Sequence, residues 1–237
     1  MQRPEQPSER QQKPTATHAP LRVLVTAGPT EEPIDEVRFI GNRSSGQLGV
    51  AVACAFADSG TEVVLALGPV RTPLPAGFDG SGRVRVERFR TASDLRAIMT
   101  RELPAADITV MAAAVADFRP AAREAGKMRR GEARALQLEP VEDLLSATRE
   151  ARKHGACIVG FALEPRDELE RSARGKLERK DLAAIVANPL ETMDAPDIDA
   201  TVYMRDGTTR RAAPPGSRIA KVEFARWLAA EVLAMRG

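Results

Sequence analysis

Short apolar runs alternate with longer stretches of helical period along most of this chain. The runs at 22–27, 62–67, 83–89, 108–113, 157–161 and 184–187 are rich in Val and Ile and too short for helices, so each predicts a strand. Between them, 47–58 closed by Gly60, 93–101 opened by Thr91 with Asp94 as its capping partner, 143–153 closed by Gly155, and 166–180 predict helices. Repeated strand-helix-strand units predict an α/β fold, a Rossmann-like, mostly parallel sheet with helices on both faces. Ligands of such sheets lie at the carboxyl ends of the strands, so function is expected in the loops that follow them. Residues 200–204 and 209–212 flank Asp206-Gly207 and predict a late β-hairpin, which extends the sheet or meets a second subunit. An amphipathic helix over 221–235 closes the chain, and no internal repeat is found.

Residues 1–20 break the pattern. They are rich in Gln, Pro, Glu and Arg with almost no apolar side chains, so ordering them costs entropy that no burial offsets, and a disordered tail is expected. That leaves 21–237 as a single domain. The 43% hydrophobic and 29% charged residues of this 237-residue chain suffice for one full core. A formal charge of +2, from 35 basic and 33 acidic residues, gives no global field to attract nucleic acid or a membrane surface. Cys54 and Cys157 stand apart in apolar segments with no CxxC, which reads as reduced core residues of a cytoplasmic protein rather than a disulfide or zinc site. No apolar run is long enough to span a bilayer, and the polar N-terminus lacks the apolar stretch of a signal peptide.

Chemistry concentrates in three places. The first strand runs into a long polar loop, Gly28 to Gly46, before its helix begins. There Ser44 and Ser45 offer hydroxyls, Gly46 and Gly49 let backbone amides approach a ligand, and the helix start adds its positive dipole end. This suits phosphate oxygens, and equally suits a solvated loop that caps a helix. The fourth strand ends in Ala112-Ala113-Ala114-Val115-Ala116-Asp117, where small residues permit a flat group to lie on the backbone and Asp117 is an acceptor at its edge; a tight packing contact with a turn Asp is the plainer alternative. Lys127-Met128-Arg129-Arg130 follows in a Gly-flanked stretch, the kind of basic run that is most often solvated surface.

Taken in order, TAGPTEEPID, VRFIGNRSSGQLG, AAAVADFRP, KMRR, VGFALE and KLERK followed by IVAN resemble the phosphopantothenoylcysteine synthetase family in its bacterial form, over nearly the whole chain from Leu21. The resemblance implies a cytoplasmic homodimeric ligase that uses CTP and Mg2+ to join 4'-phosphopantothenate to L-cysteine. It also implies a free-standing synthetase, with a separate decarboxylase acting next. By the same resemblance, Asn42 and Lys127 are the catalytic candidates; Ser44, Ser45, Gly46, Ala113, Ala114, Asp117, Lys127, Phe161, Lys176 and Lys180 are the nucleotide-binding ones. Arg38 and Asn42 would hold the acyl substrate, and no metal ligands are assigned. Departures from the family pattern are Gln47 for a usual Lys, Arg129 and Arg130 for lysines, Leu163 and Pro165 around Glu164, and Ala183 for a usual Asp. Two rivals share the fold: an NAD(P)-dependent oxidoreductase, and a degenerate, non-enzymatic nucleotide-binding protein. Against the first stand the absence of a GxGxxG and of an acidic residue closing the second strand.

Overall fold

The computed structural model describes residues 19–71, 73–78, 82–131, 133–193 and 195–236; the tail expected over 1–20 lies outside them but for its last two residues. The central sheet comprises β1 (Arg22–Ala27), β2 (Glu62–Leu67), β3 (Val84–Arg88), β4 (Ile108–Met111), β5 (Cys157–Glu164), β6 (Ala184–Pro189), β7 (Thr201–Met204) and β8 (Thr209–Arg210). Its spatial order is β8-β7-β6-β5-β4-β1-β2-β3. The strands from β3 to β6 run parallel, while β7 and β8 add antiparallel at one edge as the hairpin. The parallel part is therefore the 3-2-1-4-5-6 order of a Rossmann fold, and the strand order reverses between β1 and β4.

The helices are α1 (Gln47–Asp58), α2 (Ala92–Glu102), the single turn α3 (Leu144–Ala147), α4 (Leu169–Arg179) and α5 (Lys221–Ala234). Alternation along each strand sorts them to two faces. Val23 and Val25 of β1 join Val52 and Phe56 of α1 and Phe224 and Leu228 of α5. Leu24, between them, joins Leu95 and Met99 of α2 and Leu177 of α4 on the other face. Each such side chain, fully buried, contributes about 1.5–3 kcal/mol relative to exposure.

Local end signals behave as the sequence predicts. The Thr91 hydroxyl accepts from the Asp94 amide at 3.2 Å, and the Asp94 carboxylate accepts from the Thr91 amide at 2.9 Å, a capping box. Past α1, Gly60 sits at φ 88° while its amide donates to the Ala57 carbonyl and that of Thr61 to Phe56, a Schellman closure.

Elsewhere the boundaries differ. The helix expected over 143–153 is one turn followed by a 3-10 turn, Arg149–Ala151. Thr148 ends the α-turn by donating its hydroxyl back to the Leu144 carbonyl, and Arg152 leaves helical geometry to donate to the carbonyls of Leu145, Lys180 and Asp181. α4 begins at Leu169 rather than 166, because Arg166 reaches away to Asp199 at 3.0 Å. β4 ends at Met111, since the Ala113 amide turns to the Thr26 hydroxyl. Three short ribbons carry no periodicity signal: Glu31–Pro33 with Phe39–Gly41, Phe118–Pro120 with Leu138–Pro140, and Asp197–Ile198 with Ile219–Ala220. The first two lie side by side as an arm beside the sheet.

Candidate active site at the switch point of the sheet

At the carboxyl end of β1, Gly49 brings α1 against the strand so closely that an added Cβ would stand 2.4 Å from the Ala27 Cβ. Gly46, at φ 72°, is the N-cap of α1 and turns the Ser44-Ser45 loop into the helix. Both serine hydroxyls accept at 3.4 Å from loop amides, Ser44 from Gly46 and Ser45 from Gln47. The start of a 12-residue helix therefore faces the switch point with its dipole, amides and hydroxyls together.

Two buried threonines knit the loops after β1 and β4. Thr26 accepts from the Ala113 amide at 3.1 Å and Thr30 from the Ala116 amide at 3.0 Å, while Pro29 pairs with Ala114 as an isolated parallel bridge. The Asn42 side-chain amide crosses the same gap, donating at 2.8 Å to the Val115 carbonyl. Composition had marked the small residues 112–116; the threonines that hold them gave no signal, because their partners lie 86 and 87 positions away.

A cleft of about 740 Å³ opens between these loops. It brings together Asn42, Ser44, Ser45, Gly46, Ala113, Ala114, Asp117, Phe161, Lys176 and Lys180 from β1, β4, β5 and α4. Both lysines are already engaged: Lys176 lies 2.6 Å from Glu164 and Lys180 2.9 Å from Asp143. The Lys176 hydrogen bond holds Glu164 below the usual carboxylate range. Burial pushes Asp143 up, but Lys180 and the Leu145 amide outweigh it. An anion entering the cleft must compete with two carboxylates for these cations. Asp143, Asn188, Thr192 and Lys221 also line the cleft. In sequence Asp143 is only the first residue of the helix expected over 143–153; in the structure it is the N-cap of α3 and accepts from the Leu145 amide at 3.1 Å. A second cleft, of about 500 Å³, lies at the amino ends of β1 and β2, the end of a parallel sheet that ligands do not use.

Arg38 and Lys127 do not line the main cleft. Both belong to the arm, organised by Asp35, whose buried carboxylate accepts from the amides of Val37, Arg38 and Met128 and from the Arg38 guanidinium. Arg38 donates further to the Met128 carbonyl. The basic stretch is thus clamped at Met128, and the Lys127 side chain next to it is exposed. Burial pushes the Asp35 pKa up, but the three amides and Arg38 outweigh it and hold the group at about 2, against an ordinary 3.8. A depressed carboxyl pKa stabilises fully above the unfolded value and ceases to do so as pH falls through the folded one. Amide exchange in 33–41 and 124–130, corrected for intrinsic rates, is therefore expected to accelerate between about pH 4 and pH 2. Asp35→Asn is expected to exchange fast already at pH 7; protection equal to wild type in that variant would show that the carboxylate does not hold the arm.

The family described as "DNA/pantothenate metabolism flavoprotein C-terminal domain" matches residues 19–235. The chain belongs to this family. It is 40% identical over 191 residues to the coenzyme A biosynthesis bifunctional protein CoaBC of Mycolicibacterium smegmatis, covering 76% of this chain and 45% of that one. It is 42% identical over 183 residues to a protein from an unknown prokaryotic organism named cysteine/cysteine sulfinic acid decarboxylase, covering 76% and 49%. The chain thus spans about half the length of the curated relatives it matches. Among solved structures, the C-terminal domain of CoaBC superposes with a TM-score of 0.74 at 31% identity, covering 91% of this chain and 95% of that one. The switch-point cleft therefore sits in a family domain matched along almost its full length. No helix among the described residues is long and apolar enough to cross a membrane.

Proposed function

We propose that this domain is a ligase of coenzyme A biosynthesis that joins 4'-phosphopantothenate to L-cysteine through an acyl cytidylate. The observation that carries the reading is the convergence of Asn42, the Ser44-Ser45-Gly46 loop, Asp117, Lys176 and Lys180 on one cleft at the β1/β4 switch point. The membership of the family and the CoaBC domain match support it. A carboxylate is a poor electrophile toward an amine, so the acid must first become a mixed anhydride. The phosphopantothenate carboxylate attacks the α-phosphate of CTP and pyrophosphate leaves; the cysteine amine then attacks the acyl carbon and CMP leaves. The helix start and serine loop would take phosphate oxygens, Lys176 and Lys180 would exchange their carboxylate partners for phosphate charge, and Asn42 would hold the acyl nucleotide.

Among the described residues no group of three or more His, Cys, Asp or Glu side chains could hold a metal ion. A magnesium ion fits here as one carried on the nucleotide phosphates, with Asp117 or Asp143 at hand for a single contact. It would supply charge neutralisation at those oxygens. For partners, we propose a homodimer formed through the arm, where Val37, Phe39, Phe118, Leu136 and Leu138 present apolar surface to solvent. A second copy covering that surface would also explain why Arg38 and Lys127 stand off the cleft of their own chain. A separate decarboxylase would be the partner that consumes the product.

The test is to supply CTP, 4'-phosphopantothenate, cysteine and Mg2+ and to measure pyrophosphate, CMP and the amide product. CTP is expected to give a higher kcat/KM than ATP, and NAD none. Preference for ATP would overturn the choice of nucleotide, and no amide with either would overturn the ligase reading.

A further inference from the structure

The cleft has two chemically different ends. Amides, hydroxyls and a helix start meet at the β1/α1 turn, whereas beyond β5 and β6 the walls are Phe161, Leu163, Met193 and Ile198. The two ends are separated by the strand spacings from β1 across β4 and β5 to β6, about 14 Å, the scale of an extended nucleotide. A base needs apolar walls and a few polar groups fixed against its edge. Thr192, Lys221 and Asn188 are polar side chains at this end, and Asn188 is paired in register with Leu163 on β5.

Its amide has only one orientation compatible with its surroundings. The Thr192 hydroxyl is buried and donates its single proton to the Pro189 carbonyl at 2.8 Å. Its oxygen can then only accept from Asn188, and does so at 2.9 Å from Nδ2. Oxygen in place of that nitrogen would face the hydroxyl lone pairs with no proton between them. Asn188 therefore keeps Oδ1 free, with no donor among the described residues.

We propose that Asn188 Oδ1 accepts from the exocyclic amino group of the base, and that Thr192 is a positioning residue that sets this orientation. The proposal rests on the nucleotide-dependent reading above. A pyrimidine carrying an amino group at that edge meets an acceptor. One carrying a keto oxygen there sets two acceptors face to face and is rejected.

Calorimetric titration and kcat/KM, each with CTP and UTP, test this in wild type, Asn188→Ala, Thr192→Val and Thr192→Ser. Wild type is expected to prefer CTP. Asn188→Ala and Thr192→Val should each lower the CTP/UTP ratio about tenfold or more, the second because its amide can now flip and offer Nδ2 to a keto oxygen. Thr192→Ser, which keeps the hydroxyl, should retain the wild-type ratio. The ratio compares two ligands on the same folded molecules, so a structural loss lowers both numbers and leaves it unmoved. An unchanged ratio in both Asn188→Ala and Thr192→Val would overturn the assignment alone; a wild-type protein that binds neither nucleotide would overturn the underlying reading as well.

Discussion

Lys127→Gln is expected to uncouple the two halves of the reaction. Pyrophosphate release from CTP and phosphopantothenate without cysteine should survive at least in part, while CMP release after cysteine addition falls on the order of a hundredfold or more. The physical ground is that a cation offsets charge building on the acyl oxygen or the departing nucleotide, whereas Gln offers only a neutral dipole. The fold should tolerate the change. Lys127 is exposed, and the anchoring of its loop runs through Met128, whose amide donates to Asp35 and whose carbonyl accepts from Arg38. The acyl cytidylate should then accumulate and be visible by mass. If both products fall together, the lysine acts in binding CTP or in the first step. If neither falls, the basic stretch is solvated surface.

Asn42→Asp should be as damaging overall but without the split. In the structure the Asn42 amide donates to the Val115 carbonyl at 2.8 Å, tying the loop before α1 to the end of β4. Asp would face that carbonyl with an acceptor and place a negative charge beside the anionic acyl nucleotide. Two effects of one sign follow: a lost hydrogen bond, worth about 0.5–1.5 kcal/mol, and electrostatic opposition at the reacting end. Amide product is expected to fall about a hundredfold or more with the thermal midpoint little changed, since the residue is exposed. Turnover near wild type would remove Asn42 from the site; an unfolded variant would recast it as a structural tie.

Of the departures from the family pattern, Leu163 and Gln47 lie on the cleft. Leu163 is 38% exposed there, directly beside Asn188 in register, so it bears on the base end rather than on the reacting end. Gln47 opens α1, where a missing positive charge leaves the helix dipole and the serine loop as the local attraction for phosphate. Nothing in the structure explains Ala183.

What the chain determines by itself is whatever depends on near neighbours. Short apolar runs rich in Val and Ile place the parallel strands, and Thr91 with Asp94 and Gly60 set their helix ends because cap partners lie within a turn of each other. The candidate site residues rest instead on the resemblance of short local strings to a known family. Tertiary structure decides the rest, through bonds between distant residues. The Thr26 hydroxyl ends β4 early from 87 positions away. Arg152, drawn to the Lys180 and Asp181 carbonyls just past α4, breaks a helix that its own periodicity favours. Lys176 and Lys180 meet carboxylates from other elements, and Asp35 gathers the arm from 93 positions away. By family resemblance Lys127 is one of the site residues, yet in the folded chain it stands apart from the cleft, because the two strands of the ribbon whose loop carries it pair with each other beside the sheet rather than within it.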